Sequence, residues 1–104
     1  MLTGRNALVT GAGKGIGKAI AMELAANGAF VIVNYNGSKA AAEQTVAEIK
    51  EAGGDAVAYQ CNVADYKACA GMTANLIKSY AHIDILVNNA GITKDGLFMW
   101  MTHD

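Results

Sequence analysis

The sequence predicts an α/β fold: a parallel sheet with helices on both faces and four strands in spatial order 3-2-1-4, one half of a doubly wound architecture. Three observations carry this expectation. Four short apolar runs are continuous rather than alternating, as strands covered on both faces require. Segments with apolar residues three or four apart separate them, at the spacing of parallel strands joined by right-handed crossovers. Twelve Gly and no Pro leave chain reversals to Gly, Asn and Asp and let helices run uninterrupted.

The elements follow in order. Ala7-Leu8-Val9-Thr10 is the first strand, ending at Gly11. Ile16, Ile20, Leu24 and Ala25 mark the first helix, which stops at the C-cap signal Asn27-Gly28. Phe30-Val31-Ile32-Val33 is the second strand. Asn36-Gly37-Ser38 leads into a helix with Ala42, Val46 and Ile49 on one face, closed by Gly53-Gly54. Ala56-Val57-Ala58-Tyr59 is the third strand. Asp65 is the expected N-cap of a third helix with Cys69, Met72, Leu76 and Ile77 inward. Asp84-Ile85-Leu86-Val87-Asn88 is the fourth strand.

After Gly91 the pattern changes. Asp95-Gly96 reads as a turn, Leu97-Phe98-Met99-Trp100-Met101 as an apolar run, and Thr102-His103-Asp104 as an N-cap opening onto a helix. For Met99, Trp100 and Met101, helix-face packing and the start of a lid are both open readings. The expectation is one domain over 1–104, with 92–104 the start of a segment whose continuation is missing. A truncated chain is expected, the alternative being a ragged natural terminus.

Composition narrows the function. Eight Lys or Arg against nine Asp or Glu give a net charge of −1, which argues against a nucleic-acid-binding protein. At 53% hydrophobic residues the chain has ample surface to bury and is not disordered. No run approaches the roughly 18–20 apolar residues of a membrane span, and the first six residues lack the features of a signal peptide. Cys61 and Cys69 form no CxxC or Cys/His cluster, so neither a metal site nor a disulfide framework is indicated and a reduced, cytoplasmic setting is expected.

The chemistry-bearing motif joins the first strand to the first helix: Thr10-Gly11-Ala12-Gly13-Lys14-Gly15-Ile16-Gly17. GxGxxG fails because Ile16 stands where its last Gly belongs, and Walker A fails at Ala12 and Ala19. GxxxGxG remains, on Gly11, Gly15 and Gly17. Gly11 permits the tight turn, Gly15 lets the backbone approach a pyrophosphate, and Gly17 lets the helix pack close to the sheet. The pyrophosphate would sit over the helix N-terminus, where N–H groups and the dipole favour anions. The same glycines would also suit a turn with no ligand. After the second strand, Asn34-Tyr35-Asn36 offers no carboxylate for a ribose 2′-OH, while Lys14 offers a cation. That combination favours a 2′-phosphate and hence NADP(H), unless Lys14 is a solvated surface lysine.

Residues 10–17 together with Asn88-Asn89-Ala90-Gly91 resemble the short-chain dehydrogenase/reductase family, whose sheet is Rossmann-like. More narrowly, Asp84 through Asp95 resembles the bacterial 3-oxoacyl-[acyl-carrier-protein] reductases, and the similarity runs over essentially the whole chain. The resemblance implies that Gly11, Gly13, Lys14, Gly15, Ile16 and Gly17 cradle the cofactor's phosphates and ribose. It places Asn36 near the 2′-phosphate, Asn62 and Val63 beside the adenine, and Asn89, Ala90 and Gly91 beside the ribose nearer the nicotinamide. It further implies hydride transfer to a 3-oxoacyl thioester on acyl carrier protein, in fatty acid synthesis. The family's Ser, Tyr-x-x-x-Lys pair and further Asn lie downstream of the matched segment, so no catalytic residue is assigned and the chain alone is expected to be inactive. Tyr35-Asn36-Gly37-Ser38-Lys39 spells Tyr-x-x-x-Lys but lies in the loop after the second strand, and is read as a decoy. His82 and His103 have no nucleophile or metal partner in view.

Two alternatives stay beside this expectation: a non-catalytic nucleotide-binding or self-associating module, and an α/β interaction module whose glycines serve only packing. The fourth strand would be an exposed apolar edge, and such edges pair with other chains. A homodimer or larger assembly is expected, with Leu97, Phe98 and Trp100 burying area too.

Overall fold

The computed structural model describes residues 1–13 and 15–89, and the backbone of 97–100. The element order is β1 (Asn6–Thr10), α1 (Gly15–Ala26), β2 (Phe30–Tyr35), α2 (Lys39–Glu51), β3 (Asp55–Gln60), α3 (Tyr66–Tyr80), β4 (Ile85–Asn88) and β5 (Leu97–Trp100). The sheet order is β3-β2-β1-β4-β5. The first four strands are parallel, in the expected order.

β5 was not expected. It runs antiparallel to β4, pairing Ile85 with Trp100 and Asn88 with Leu97. β4 is therefore not an edge strand, which removes the stated reason for edge-to-edge pairing. The backbone over 97–100 is extended, so the helix-face reading does not fit it, and the lid reading turns on side chains outside the described ones. Lys14, Ala90, Gly91, the Asp95-Gly96 turn, the Thr102-His103-Asp104 cap and the buried area assigned to Leu97, Phe98 and Trp100 lie outside the described residues and side chains.

The pleat sorts the strand side chains onto two faces. Ala7, Val9, Val31, Val33, Ile85 and Val87 join one buried cluster with α1 and α2. Leu8, Ile32 and the partly buried Leu86 join the other, against Met72 and Leu76 of α3. The buried residues of α1 are Gly17, Ala21 and Ala25, all small, which lets the helix approach the sheet closely. Ile16, expected on that face, is 73% exposed, and Ile77, expected inward on α3, is 45% exposed. Both sit beside the buried stripe rather than in it. Cys69 is half-buried, and Thr45, not anticipated, is fully buried on α2 with Ala42 and Ile49.

Asp65 caps α3 as expected, accepting from the amides of Lys67 at 3.0 Å and Ala68 at 3.1 Å. At the other end of α3, Ala81 takes φ +75°, a conformation usually left to Gly. His82 and Asp84 follow at the bottom of the sheet. Asp84 is 2% exposed and accepts hydrogen bonds from the Asn6 amide at 2.8 Å and from His82 Nδ1 at 2.6 Å, with the Arg5 guanidinium at 3.8 Å. Burial pushes its carboxyl up, but the Asn6 amide, the His82 ring and Arg5 outweigh this and hold it below its ordinary value of 3.8. Among the described residues no helix is long and apolar enough to cross a membrane.

Candidate functional site

The three βα turns of a parallel sheet open at its C-terminal edge, so residues ending β1, β2 and β3 meet there. The turn after β1 is shaped by conformation and close approach. Gly11 sits at φ +61° and Gly15 at φ +65°, which suits residues without a Cβ. A Cβ on Gly17 would fall on the Gly11 carbonyl oxygen and within 2.7 Å of Asn89 Nδ2. Asn89 Nδ2 donates to that same carbonyl at 3.2 Å, so the end of β4 is tied to the glycine turn. Thr10 Oγ1 lies 3.2 Å from Asn88 Oδ1 and holds the two central strands together above this point.

The glycine turn is also anchored from β2 and α2. Asn34 is 1% exposed; its Oδ1 accepts from the Gly11 amide at 3.4 Å and its backbone carbonyl from the Ala12 amide at 3.2 Å. Its Nδ2 donates to the Cys61 carbonyl at 3.1 Å and the Tyr59 carbonyl at 3.4 Å, so one amide braces β1, β2 and β3 at their ends. Thr45 Oγ1 donates to the Gly13 carbonyl at 3.0 Å, and a Cβ on Gly13 would meet Ala41 Cβ at 3.3 Å. Gly13 thus packs on α2. Asn34 and Thr45 were not expected; the signal at Asn34 is a polar residue within an apolar strand, and at Thr45 a small polar residue on the helix face of Ala42 and Ile49.

These bonds decide where an anion could be received. The Gly11 and Ala12 amides are already engaged. An α-helix leaves its first four N–H groups without partners inside the helix, and those of α1 begin at Gly15. At α3 the Asp65 carboxylate fills that role, and such a cap would compete with an anionic ligand.

Beside the turn lies a cleft of about 230 Å³ lined by Gly11, Asn34, Asn36, Cys61, Asn62, Val63 and Ala64. It draws four of the expected residues, Gly11, Asn36, Asn62 and Val63, from three separate turns. Gly17 and Asn89 meet at the Gly11 carbonyl, Gly15 and Ile16 are exposed at the start of α1, and Gly13 turns toward α2. Asn62 Oδ1 accepts from the Ala64 amide at 3.0 Å, shaping the loop into α3. Burial, with Cys69 and Asp65 nearby, pushes the Cys61 thiol up, so it lines the cleft as a neutral group. A larger, mostly apolar cavity of about 440 Å³ lies on the α3 face, lined by residues including Leu8, Cys69, Met72, Thr73, Ile83 and Leu86, and it shares Val63 and Ala64 with the cleft. The Tyr35/Lys39 pair is no acid–base site: Tyr35 packs against the α1/α2 cluster and Lys39 lies 3.9 Å from Glu43 on its own helix. Among the described residues no group of three His, Cys, Asp or Glu could hold a metal ion.

Residues 5–104 match the pattern of the family described as short chain dehydrogenase. Over 97 residues the chain is 50% identical to the 3-oxoacyl-[acyl-carrier-protein] reductase FabG of Staphylococcus aureus, covering 93% of this chain and 39% of that protein. It is 48% identical over 95 residues to versicolorin reductase 1 of Aspergillus parasiticus, covering 91% and 36%. A short chain dehydrogenase from Burkholderia cenocepacia, solved in complex with NADP, superposes with a TM-score of 0.80 at 44% identity, covering 91% of this chain and 39% of that one. The chain thus spans about two-fifths of the length of the curated relatives it matches. With its four parallel strands, its GxxxGxG turn and its Asn-Asn-Ala-Gly motif, this chain belongs to the short-chain dehydrogenase family.

Proposed function

We propose that these residues form the NADP(H)-binding portion of a short-chain reductase that delivers hydride to a 3-oxoacyl thioester on acyl carrier protein. The carrying observation is the cleft in which Gly11, Asn36, Asn62 and Val63 converge beside the start of α1. The amides from Gly15 onward would receive the pyrophosphate over the helix N-terminus, with Ile16 at the rim and the Lys14 cation serving the phosphates. Gly17 would serve by absence of bulk, Gly13 by seating the turn on α2. Asn62 and Val63 would face the adenine, and Asn89, Ala90 and Gly91 the inner ribose. Asn36 would meet the 2′-phosphate, where no carboxylate stands to repel it.

NADP(H), when bound, supplies the hydride; this chain's residues bind and orient it. Among the described residues lining the cleft none is an acid positioned to protonate a carbonyl, so cofactor binding without turnover is the expected behaviour of these 104 residues. The acyl thioester is supported by 50% identity to the S. aureus reductase. A reduced, cytoplasmic setting fits two free cysteines, and association with further copies is part of this reading. Titration with NADPH and NADH, followed by nucleotide fluorescence, tests it. NADPH is expected to bind about tenfold more tightly, the scale of one hydrogen bond to a charged group. Failure to bind either nucleotide overturns the cofactor reading and leaves the packing-only module in its place.

A further inference from the structure

Gln60 is the last residue of β3 and pairs across the sheet with Tyr35, the last residue of β2. Asn36 follows immediately and lines the cleft, and the two side chains meet on the exposed side of it. Gln60 Nε2 donates to the Asn36 backbone carbonyl at 3.1 Å and to Asn36 Oδ1 at 3.3 Å. The first bond fixes the orientation of the second. A backbone carbonyl only accepts, so the Gln60 amide must present its nitrogen there. The same nitrogen then faces the Asn36 side chain, and the Asn36 atom turned toward it must be the oxygen. With Oδ1 held, Asn36 is left to offer Nδ2, a pure donor, to whatever occupies the cleft.

We infer that Gln60 is a positioning residue for cofactor choice: it locks the Asn36 amide with its N–H₂ outward, so that the cleft selects a phosphate at the ribose 2′ position over a hydroxyl. The inference rests on the NADP(H) reading above and deepens it. An unheld Asn amide can rotate and offer either its donor or its acceptor end. A ribose 2′-hydroxyl accepts either presentation, because it both donates and accepts; a phosphate dianion tolerates only the donor. The lock therefore acts on NADPH and leaves NADH nearly untouched. Because Gln60 and Asn36 are both exposed, neither substitution opens a hole in the core.

The test measures dissociation constants for NADPH and NADH on the 104-residue chain and on Gln60→Ala, Gln60→Glu, Asn36→Ala and the Asn36→Ala/Gln60→Ala double variant, with melting curves for each. Gln60→Ala is expected to weaken NADPH about fivefold with NADH changed less than about twofold, the scale of one ordinary hydrogen bond, because the freed Asn36 amide still donates part of the time. Gln60→Glu is expected to weaken NADPH by about tenfold or more, because its carboxylate draws in the Asn36 N–H₂, turns Oδ1 outward and adds negative charge. The double variant is expected to match Asn36→Ala alone, since a residue acting through another adds nothing once that other is gone. Parallel losses for both nucleotides, an unchanged NADPH-to-NADH ratio, or additive losses in the double variant each overturn the role of Gln60 while the cofactor reading stands. If the unmodified chain binds neither nucleotide, that reading fails and takes this inference with it.

Discussion

The two faces of the sheet are built differently. On the α1/α2 face, thirteen of the described residues form one buried cluster of Ala, Val and Ile, with Ile20, Met22 and Leu24 partly buried against it. Gly17, Ala21, Ala25 and Ala42 keep both helices close, and Thr45 and Lys18 add polar ties, the latter to Glu48 at 2.9 Å. On the α3 face, one helix covers larger residues, Leu8, Ile32, Met72, Leu76 and Ile83, and a cavity of about 440 Å³ remains beside β1 and β4. Close approach on the first face seats the glycine turn on α1 through Gly17 and on α2 through Gly13. The second face is packed for bulk and has room to spare. The cleft and the larger cavity adjoin through Val63 and Ala64, and three asparagines, Asn34, Asn36 and Asn62, line the smaller of the two.

Substitutions that add volume separate the two faces most sharply. Ala21→Leu places a branched side chain where no space exists and is expected to cost about 3 kcal/mol, read by urea denaturation. Thr73→Leu, at the cavity wall, is expected to stay within about 0.5 kcal/mol of the unmodified protein. Equal costs at the two positions would erase the contrast. Gly17→Ala comes next: its Cβ must displace the Gly11 carbonyl or Asn89, and about 2 kcal/mol of stability should go with most of the nucleotide affinity.

The clasp beneath the sheet belongs to neither face and predicts a pH response. The Asp84 carboxyl is lowered in the folded state relative to its ordinary 3.8, so the unfolded chain binds the proton more readily. Its contribution is fully present well above 3.8 and is lost as pH falls through the folded value. Asp84→Asn should remove that acid-dependent part, at a cost of about 1–3 kcal/mol near neutral pH, seen as a flatter melting-temperature profile on acidification. The smallest expected effect is a gain. Ala81→Gly relieves a φ of +75° and should stabilise by about 0.5–1 kcal/mol in thermal melts, provided the α3 C-cap keeps its bond from the Ala81 amide to the Ile77 carbonyl at 2.8 Å.

Much of this was legible in the residues. Continuous apolar runs located β1 to β4, and right-handed crossovers gave their order, because both depend on local pattern and chain handedness. The roles expected for Gly11 and Gly17 follow from the lack of a Cβ, and the positive φ at one and the blocked Cβ position at the other agree with them. What escaped depends on partners distant in sequence. An apolar run such as Leu97–Trp100 carries no mark of the strand it will pair with. Ile16 and Ile77 have helical spacing but fall just outside the buried stripe, which only the crossing of helix over sheet decides. Asn34 and Thr45 act through backbone groups 23 and 32 residues away, and Gln60 through Asn36 at 24. Such polar ties are written in the topology, and only then in the residue type.

Amide chemical-shift mapping on the ¹⁵N-labelled chain during NADP⁺ addition bears most directly on whether the α1 entrance receives the diphosphate. The largest perturbations should fall at Gly15, Ile16 and Gly17, with Asn36, Asn62 and Val63 following at the same nucleotide concentration. Perturbations gathered instead around Cys69, Met72, Thr73 and Leu86, or none anywhere, would contradict it.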